Sequence, residues 1–426
     1  MIKNYNQLAT SAQKIMALKL LETGLNSVLP KTIFKNIIYN NGVLRILERV
    51  YRIQGRIFII GAGKASGEMA ILLEEIIGFK NITAGVVNST INTTTRKVEI
   101  IKAGHPLPNE FGFIGAKNML DLKNKFKINN KDTIICLLSG GGSSLLSYPA
   151  EGVSLSELIN LNKAILNCGA DIYEINTVRK HISRVKGGLL AKHFYPAKVL
   201  TLIISDIIDN DISVIASGPT TPDKSTFQDA LNVLNKYQIS ILRDYLFRGT
   251  KGRLQETPKQ LVNTNNIIIA DNNTALESMK LKADELYSTH IIHNLKGESS
   301  LVAKSLLEYV QGLSRPCTVL LGGETTVTLS QQHGKGGRNQ EFILSSLLHC
   351  KLNGDWCIAS LATDGIDFIE DAAGAIIDNH TLTNKTELRQ CLDMHNSYQI
   401  LQRLKAIIST GYTGTNVADL VVYVLF

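Results

Sequence analysis

No apolar run in this 426-residue chain reaches the roughly 18–20 residues that span a bilayer. The N-terminus also lacks the basic, apolar and small-residue order of a secretion signal. A membrane role is set aside on these grounds, and a cytoplasmic protein is expected. No C-x-x-C pair occurs among the six cysteines, Cys136, Cys168, Cys317, Cys350, Cys357 and Cys391. Most of them lie in apolar stretches, so reduced, buried thiols are expected rather than metal ligands or nucleophiles. The chain has no dense basic run and no interleaving of basic and aromatic residues, although its net charge is +8. Spread in this way, Lys and Arg argue against a nucleic-acid partner and suit small anionic substrates such as phosphates and carboxylates. Repeats and low-complexity segments are absent as well.

What is present fits a globular enzyme. Hydrophobic residues make up 44% and charged residues 19%, a balance that excludes disorder. The length exceeds one ordinary core, so two domains are expected. Short apolar runs ending in Gly, Ser or Asp alternate with helical patterns from Arg56 to Leu425. That alternation predicts an α/β protein with a mainly parallel sheet covered by helices on both faces. Runs such as Thr133–Leu138 and Lys198–Ile204 are continuously apolar, which burial on both faces explains. Gln7–Leu29 reads as an amphipathic helix with Ile15, Leu18, Leu21, Leu25 and Val28 on one side. The polar stretch Ile239–Asn265 precedes a fresh run of β/α units, and a domain boundary is expected close to it.

Six segments carry candidate chemistry. In Ile59–Ala70 a strand runs into a glycine turn and then a helix, with Gly61, Gly63 and Gly67 in a G-x-G-x-x-x-G pattern. Gly61 and Gly63 allow a tight turn, the helix start offers N–H groups to an anion, and Lys64 can reach a phosphate or carboxylate. A dinucleotide site would place an acid at the end of the next strand, but that strand ends at Asn88. In Leu137–Leu146, Ser139, Gly140, Gly141, Gly142, Ser143 and Ser144 can form an anion nest. The segment is neither a Walker A loop nor a G-x-S-x-G nucleophile turn, and a plain packing turn is the alternative.

In Asn176–Leu190, Arg179 and Lys186 are seven residues apart, so one helix face would carry both. That basic face suits a polyanion or is simply solvated. Asp206, Asp209 and Asp211 follow a strand end, where carboxylates coordinate a divalent cation, position a nucleophile or merely close a turn. Glu324 ends another strand, and Arg338 opens a helix beside Gly336 and Gly337, a place suited to holding phosphate bidentately. Asp364, Asp367, Glu370 and Asp371 again follow a strand end, which suits metal binding or general-base work. His105, before Pro106, reads as a loop histidine somewhat more than as a catalytic one. Together these residues form the equipment of phosphoryl transfer.

The segments GAGKASGEMA, GHPLPNE, LLSGGGSSLL, SDIIDNDISVIASGPTTPD, GGETTVTL, GKGGRNQEF, ATDGIDFIEDAAGA and TGYTGTNVADLVV run in order from about Ile59 to Val422. In combination they resemble the class II glycerate 2-kinases, whose C-terminal half is often called the MOFRL domain. The resemblance implies an N-terminal Rossmann-like, doubly wound domain over residues 1–240. It implies a C-terminal α/β domain with a mixed sheet over 241–426, and an active site between the two. It further implies ATP and Mg²⁺ or another divalent cation, D-glycerate as acceptor and 2-phosphoglycerate as product, and it allows a homodimer. A lysine in the GAGK turn and the arginine of the GGRNQE stretch matter in that family, and they map onto Lys64 and Arg338. Asp206, as first choice for the proton acceptor, and Asp364 are expected at the metal. Ser139–Ser144, Gly61, Gly63, Arg179, Lys186 and Glu324 are expected around substrate and nucleotide. The chain departs from the family at Tyr412, where a proline is usual. An NAD(P)H-dependent hydroxypyruvate reductase and a non-catalytic sugar-acid sensor are the rival readings, and the missing acid at Asn88 counts against the first.

Overall fold

The structure, a computed structural model, describes residues 1–329 and 331–426. The chain gathers into two compact units, one formed by Ile33–Ile269 and the other by Met1–Thr32 with Ala270–Phe426.

The first unit begins with a small antiparallel meander of β1 (Ile37–Asn40), β2 (Val43–Ile46) and β3 (Arg49–Arg52). Asn41 and Gly42 both have positive φ (47° and 78°), which matches the turn that joins β1 to β2 in two residues. Six further strands follow: β4 (Ile57–Ala62), β5 (Ile82–Ser89), β6 (Val98–Lys102), β7 (Thr133–Leu138), β8 (Lys198–Ile204) and β9 (Thr264–Ala270). They form one sheet in the order β6-β5-β4-β7-β8-β9. The pairs from β6 through β8 are parallel. Every residue of β4 and of β7 is buried, as their continuous apolar sequences predict. Chain order reverses between β4 and β7, which makes the doubly wound arrangement expected from the β/α alternation. Phe58, Ile60, Ile134 and Cys136 of this sheet pack with Ala116, Met119 and Leu122 of the helix Glu110–Phe126. A satellite core of Leu161, Val178, Phe227, Leu234 and Leu246 joins the helices Leu155–Asn167, Ile172–His181, Phe227–Lys236 and Arg243–Thr250. Ser154, Asp171 and Thr226 start the first three of these with complete capping boxes.

The second unit holds β10 (Ser288–Glu298), β11 (Cys317–Thr326), β12 (Trp356–Ala362), β13 (Gly374–Asp378), β14 (Ile407–Ile408) and β15 (Asp419–Leu425). Their order is β10-β11-β15-β12-β13-β14. Only β10 and β11 run parallel, and the other pairs are antiparallel, so the sheet is mixed. The helix Ala12–Ser27 packs on β15 and on the helix Asn272–Ala283. Gly24 permits the approach, because a Cβ there would stand 2.8 Å from Met279 Cγ and 3.1 Å from Leu420 Cδ1. Leu18, Leu21, Leu25 and Val28 are fully buried, but Ile15 is 45% exposed and lies off the face assigned to it from the sequence. The six cysteines are free; Cys136, Cys317 and Cys357 are buried, and the other three only half-buried. Among the described residues no helix is long and apolar enough to cross a membrane.

Leu18→Ala is expected to cost about 2–4 kcal/mol of stability. Ile15→Ala, on the same helix, should cost less than about 0.5 kcal/mol. Urea unfolding of the two variants checks this, and equal losses would refute the orientation of the helix.

Candidate active site

In an open α/β sheet the crevice lies outside the carboxyl ends of the strands where chain order reverses. Here those ends are the turns after β4 and β7. Glycine is required at both because the turns are in contact. A Cβ on Gly61 would stand 2.9 Å from Leu137 N, and one on Gly63 would stand 2.7 Å from Ser139 N. Lys64 N donates to Gly140 O (2.8 Å), and the Ser139 hydroxyl accepts from Ala65 N (3.0 Å) and lies 3.2 Å from Ser66 Oγ. Gly67 N donates to Ser89 Oγ (3.3 Å). Ser139 and Ser89 therefore occupy amides at the start of the helix Ser66–Ile77, amides that the sequence alone offers to an anion. Ser139 is buried and braces the turn.

The open side of this edge is formed by Gly141. A Cβ there would stand 2.8 Å from Cδ2 and 3.0 Å from Nε2 of His105, and 3.3 Å from Cγ of Lys64. Lys64 and His105 thus converge beside the glycine turn, and His105, read first as a loop residue, joins the candidates. Only its place before a proline hinted at it. Asn88, where a dinucleotide site would carry its acid, is buried and donates to Gly112 O (2.9 Å) and Leu145 O (2.8 Å). It ties the first turn of the helix Glu110–Phe126 to the end of the short helix Gly142–Leu145, and it offers no carboxylate to a ribose.

The basic segment divides differently from its sequence pattern. Its helix ends at His181, so Arg179 and Lys186 do not share a helical face. Lys186 follows in a turn where Gly187 N and Gly188 N donate to Ser217 O (2.9 Å) and Gly218 O (2.7 Å). Ala216 and Ser217 adopt left-handed backbone (φ 51° and 61°), a strain of about 1–2 kcal/mol per residue. Lys180 pairs with Asp223 at 3.2 Å, and Arg184 with Glu151 at 3.3 Å. His181 Nε2 lies 2.9 Å from Glu256 Oε1, and its Nδ1 lies 2.8 Å from Thr177 O. Burial works against the Glu256 charge, but hydrogen bonds from His181, Thr257 N and Phe227 N bring its carboxyl down to about 2. This buried network ties the helix that carries Arg179 to the segment 223–227.

In the other unit, Arg338 opens the helix Arg338–His349 with its guanidinium already engaged. Nε and Nη2 donate to Asp419 Oδ2 (2.6 Å) and Oδ1 (2.8 Å), and Nη1 lies 2.8 Å from Glu324 Oε1. Burial disfavours the guanidinium charge, but Asp419 outweighs it and holds Arg338 firmly charged. The amides at the helix start belong to Asp367, which accepts from Asn339 N (3.1 Å) and Gln340 N (2.9 Å). Burial and the neighbouring Asp419 charge push Asp367 up all the same. Gly337 is required because a side chain there would occupy the space of the Asp367 carboxylate. Sequence reading singled out Arg338 and Glu324 but missed Asp419, whose only signal is a charge at the head of a buried strand.

Asp206 follows β8 and is half-buried, whereas Asp209 accepts from Tyr173 Oη (2.9 Å) and Asp211 from Ser213 N (2.9 Å). Asp364, after β12, accepts from Ile366 N (3.1 Å). Among the described residues no group of three or more His, Cys, Asp or Glu could hold a metal ion. The donors present, single carboxylates at strand ends, fit Mg²⁺, which binds through one or two carboxylates together with substrate phosphates.

Comparison with known proteins finds matches over most of the chain. Residues 16–246 match DUF4147, a domain of unknown function, and residues 317–419 match the MOFRL family. The glycerate 2-kinase of Pyrococcus horikoshii is 37% identical over 394 residues, covering 88% of each chain. The D-glycerate 2-kinase of Thermotoga maritima is 38% identical over 383 residues, 86% of this chain and 90% of that one. A solved glycerate kinase structure from Thermotoga maritima superposes with a TM-score of 0.83 at 35% identity, covering 97% of this chain and 99% of that chain.

Two expectations follow from the pairings. Asp419→Asn takes the charge from the buried partner of Arg338 and should cost about 3–5 kcal/mol in urea unfolding. Glu256 has a depressed folded pKa, so its contribution is complete above its unfolded value of about 4.3 and fades as pH falls toward about 2. The stability gap between wild type and Glu256→Gln should be widest near pH 6 and close toward pH 2. A gap that stays constant along a pH series of unfolding curves would contradict that assignment.

Proposed function

The chain belongs to the glycerate 2-kinase family and is a kinase, and on that premise we propose that it moves the γ-phosphate of ATP to the 2-hydroxyl of D-glycerate. The observation that carries this reading is the convergence of Lys64 and His105 on a glycine turn at the carboxyl edge of the sheet, where the position of a ribose-binding acid is filled by buried Asn88. A site of this kind suits charge stabilisation on a phosphoryl group and has no anchor for a hydride-carrying dinucleotide.

In the proposed reaction the 2-hydroxyl oxygen forms a bond to the γ-phosphorus while the bond from that phosphorus to the β,γ-bridging oxygen breaks, releasing ADP. Asp206 accepts the hydroxyl proton. Lys64 and Arg338 are the catalytic cations, offsetting the substrate carboxylate and the charge that builds on the transferring group. Asp419 acts through Arg338: it holds the Nε edge of the guanidinium and leaves the Nη1 edge to the exposed, exchangeable Glu324. Gly61 and Gly63 let the turns meet, and Gly140, Gly141, Gly142, Ser143 and Ser144 shape the phosphate side. Asp206 in the first unit and Asp364 in the second are each a candidate carboxylate for Mg²⁺. When bound, the ion neutralises phosphate oxygens.

Phosphorus NMR of the purified chain with ATP, Mg²⁺ and D-glycerate tests the proposal, and 2-phosphoglycerate and ADP are expected together. Lys64→Ala and Arg338→Ala should each lower kcat/KM by about 10²–10³-fold. Turnover near normal in both variants would remove those two assignments. A 3-phosphoglycerate signal would keep the kinase and overturn the acceptor position. Oxidation of NADH by hydroxypyruvate without ATP would favour a reductase instead.

A further inference from the structure

Four cations lie in the segment from Arg179 to Lys186, and the fold treats them in two ways. Lys180 and Arg184 each face a carboxylate, Asp223 and Glu151. Among the described residues neither Arg179 nor Lys186 pairs with one, although Lys186 is the most deeply buried of the four and Arg179 is half-buried. Arg179 donates from Nε to the neutral amide oxygen of Asn162 (2.7 Å). Lys186, only 3% exposed, donates from Nζ to Ser143 O (2.6 Å) and Leu146 O (3.0 Å). Burial lowers Arg179 to about 10. Burial, and then the charge of Arg179, lowers Lys186 further below its ordinary value. Two mutually repelling cations, one buried and one half-buried, held against neutral acceptors are costly to keep unless an anion compensates them.

We propose that Arg179 and Lys186, with the Gly141–Ser143 turn, seat a phosphate dianion. Asn162 fixes the guanidinium by Nε, so its two terminal nitrogens present the edge that grips two oxygens of one phosphate. Lys186 spends two of its three N–H bonds on Ser143 O, in the short helix Gly142–Leu145, and Leu146 O just after it, and that helix leads directly from the glycine turn beside Lys64 and His105. The turn is pre-set from the other side: Ser143 Oγ lies 2.8 Å from Ser217 Oγ, which donates to Asn176 Oδ1 (2.8 Å). A double positive charge matches a dianion better than the single charge of a carboxylate. The seat therefore takes the phosphate end of the nucleotide donor rather than the acid end of the acceptor, and this assignment of the ligand rests on the kinase reading.

The test is calorimetric titration of the full chain with inorganic phosphate at constant ionic strength, with ADP, ATP and D-glycerate as parallel titrants. Saturable phosphate binding is expected, weakened about tenfold or more in Arg179→Gln, since a charge-assisted bidentate contact is lost. Lys186→Met should act in the same direction. Because it also strips bonds from two carbonyls, Arg179→Gln is the deciding variant, with circular dichroism as the check on folding. Arg184→Gln, which removes a paired and exposed cation, should leave phosphate binding unchanged. In steady-state kinetics Arg179→Gln should raise the KM for ATP and leave the KM for D-glycerate alone. Phosphate binding that is absent, or equal in wild type and Arg179→Gln, overturns the seat even if the enzyme turns over. A KM effect confined to D-glycerate overturns it in favour of a carboxylate seat. Phosphate binding of the expected pattern in a chain that makes no phosphoglycerate would keep the seat and sink the kinase reading instead.

Discussion

Two turns can lie against each other at the carboxyl end of a parallel sheet only where side chains are missing, and the region around β4 and β7 is organised by that condition. Gly61 and Gly63 lie so close to Leu137 and Ser139 that a methyl group on either would collide with backbone. The resulting contact is then sealed by polar bonds: Lys64 N to Gly140 O, and Ala65 N to the Ser139 hydroxyl. Lys64 leaves the sheet at a fixed angle because its own amide is tied to the neighbouring turn. Gly141, one step further out, leaves room for His105 beside it. The geometry of this candidate site follows from the space that absent side chains leave.

Each unit lays an asparagine side chain over a glycine, buried Asn88 in the first and half-buried Asn272 in the second. Asn88 lies against Gly115 and donates to Gly112 O and Leu145 O. Asn272 lies against Gly322 and donates to Val417 O and Asp419 O. In each case one side-chain amide donates to two carbonyls, and the glycine leaves room for it. The second of these pins stands directly behind the carboxylate that holds Arg338.

The elements that carry long continuous or helical patterns were legible in the sequence. The continuously apolar runs Thr133–Leu138 and Lys198–Ile204 are strands with those same bounds. Strands β1–β3, β13 and β14 were not legible, because two to five residues give too short a period to read and only the Asn41-Gly42 turn marks the first hairpin. Of the site, Lys64, the glycine turns and Arg338 announce themselves by residue type. Their supporting partners do not. Asp367 and Asp419 lie 28 and 81 residues from the groups they hold, and their role is a matter of tertiary pairing. The reading of Arg179 and Lys186 as one helical face failed because the helix stops at His181 and the chain turns through Gly187-Gly188. A spacing of seven means a shared face only while the helix lasts.

Arg338 in one unit and Arg179 with Lys186 in the other are held in opposite electrostatic states. Arg338 is compensated on two sides, so keeping it charged costs the fold little, but any anion it receives must compete with Glu324 for the Nη1 edge. Such a cation is accurate in position and weak as a bare attractor, which suits charge that develops only in a transition state. Arg179 and Lys186 face neutral oxygens only, so they weaken the unliganded fold and gain most when an anion arrives. That state suits ground-state binding of a group that is already charged. On the proposed reading, Arg179 and Lys186 hold a charged group without a carboxylate beside them, and Arg338, held by two carboxylates, stabilises the reaction.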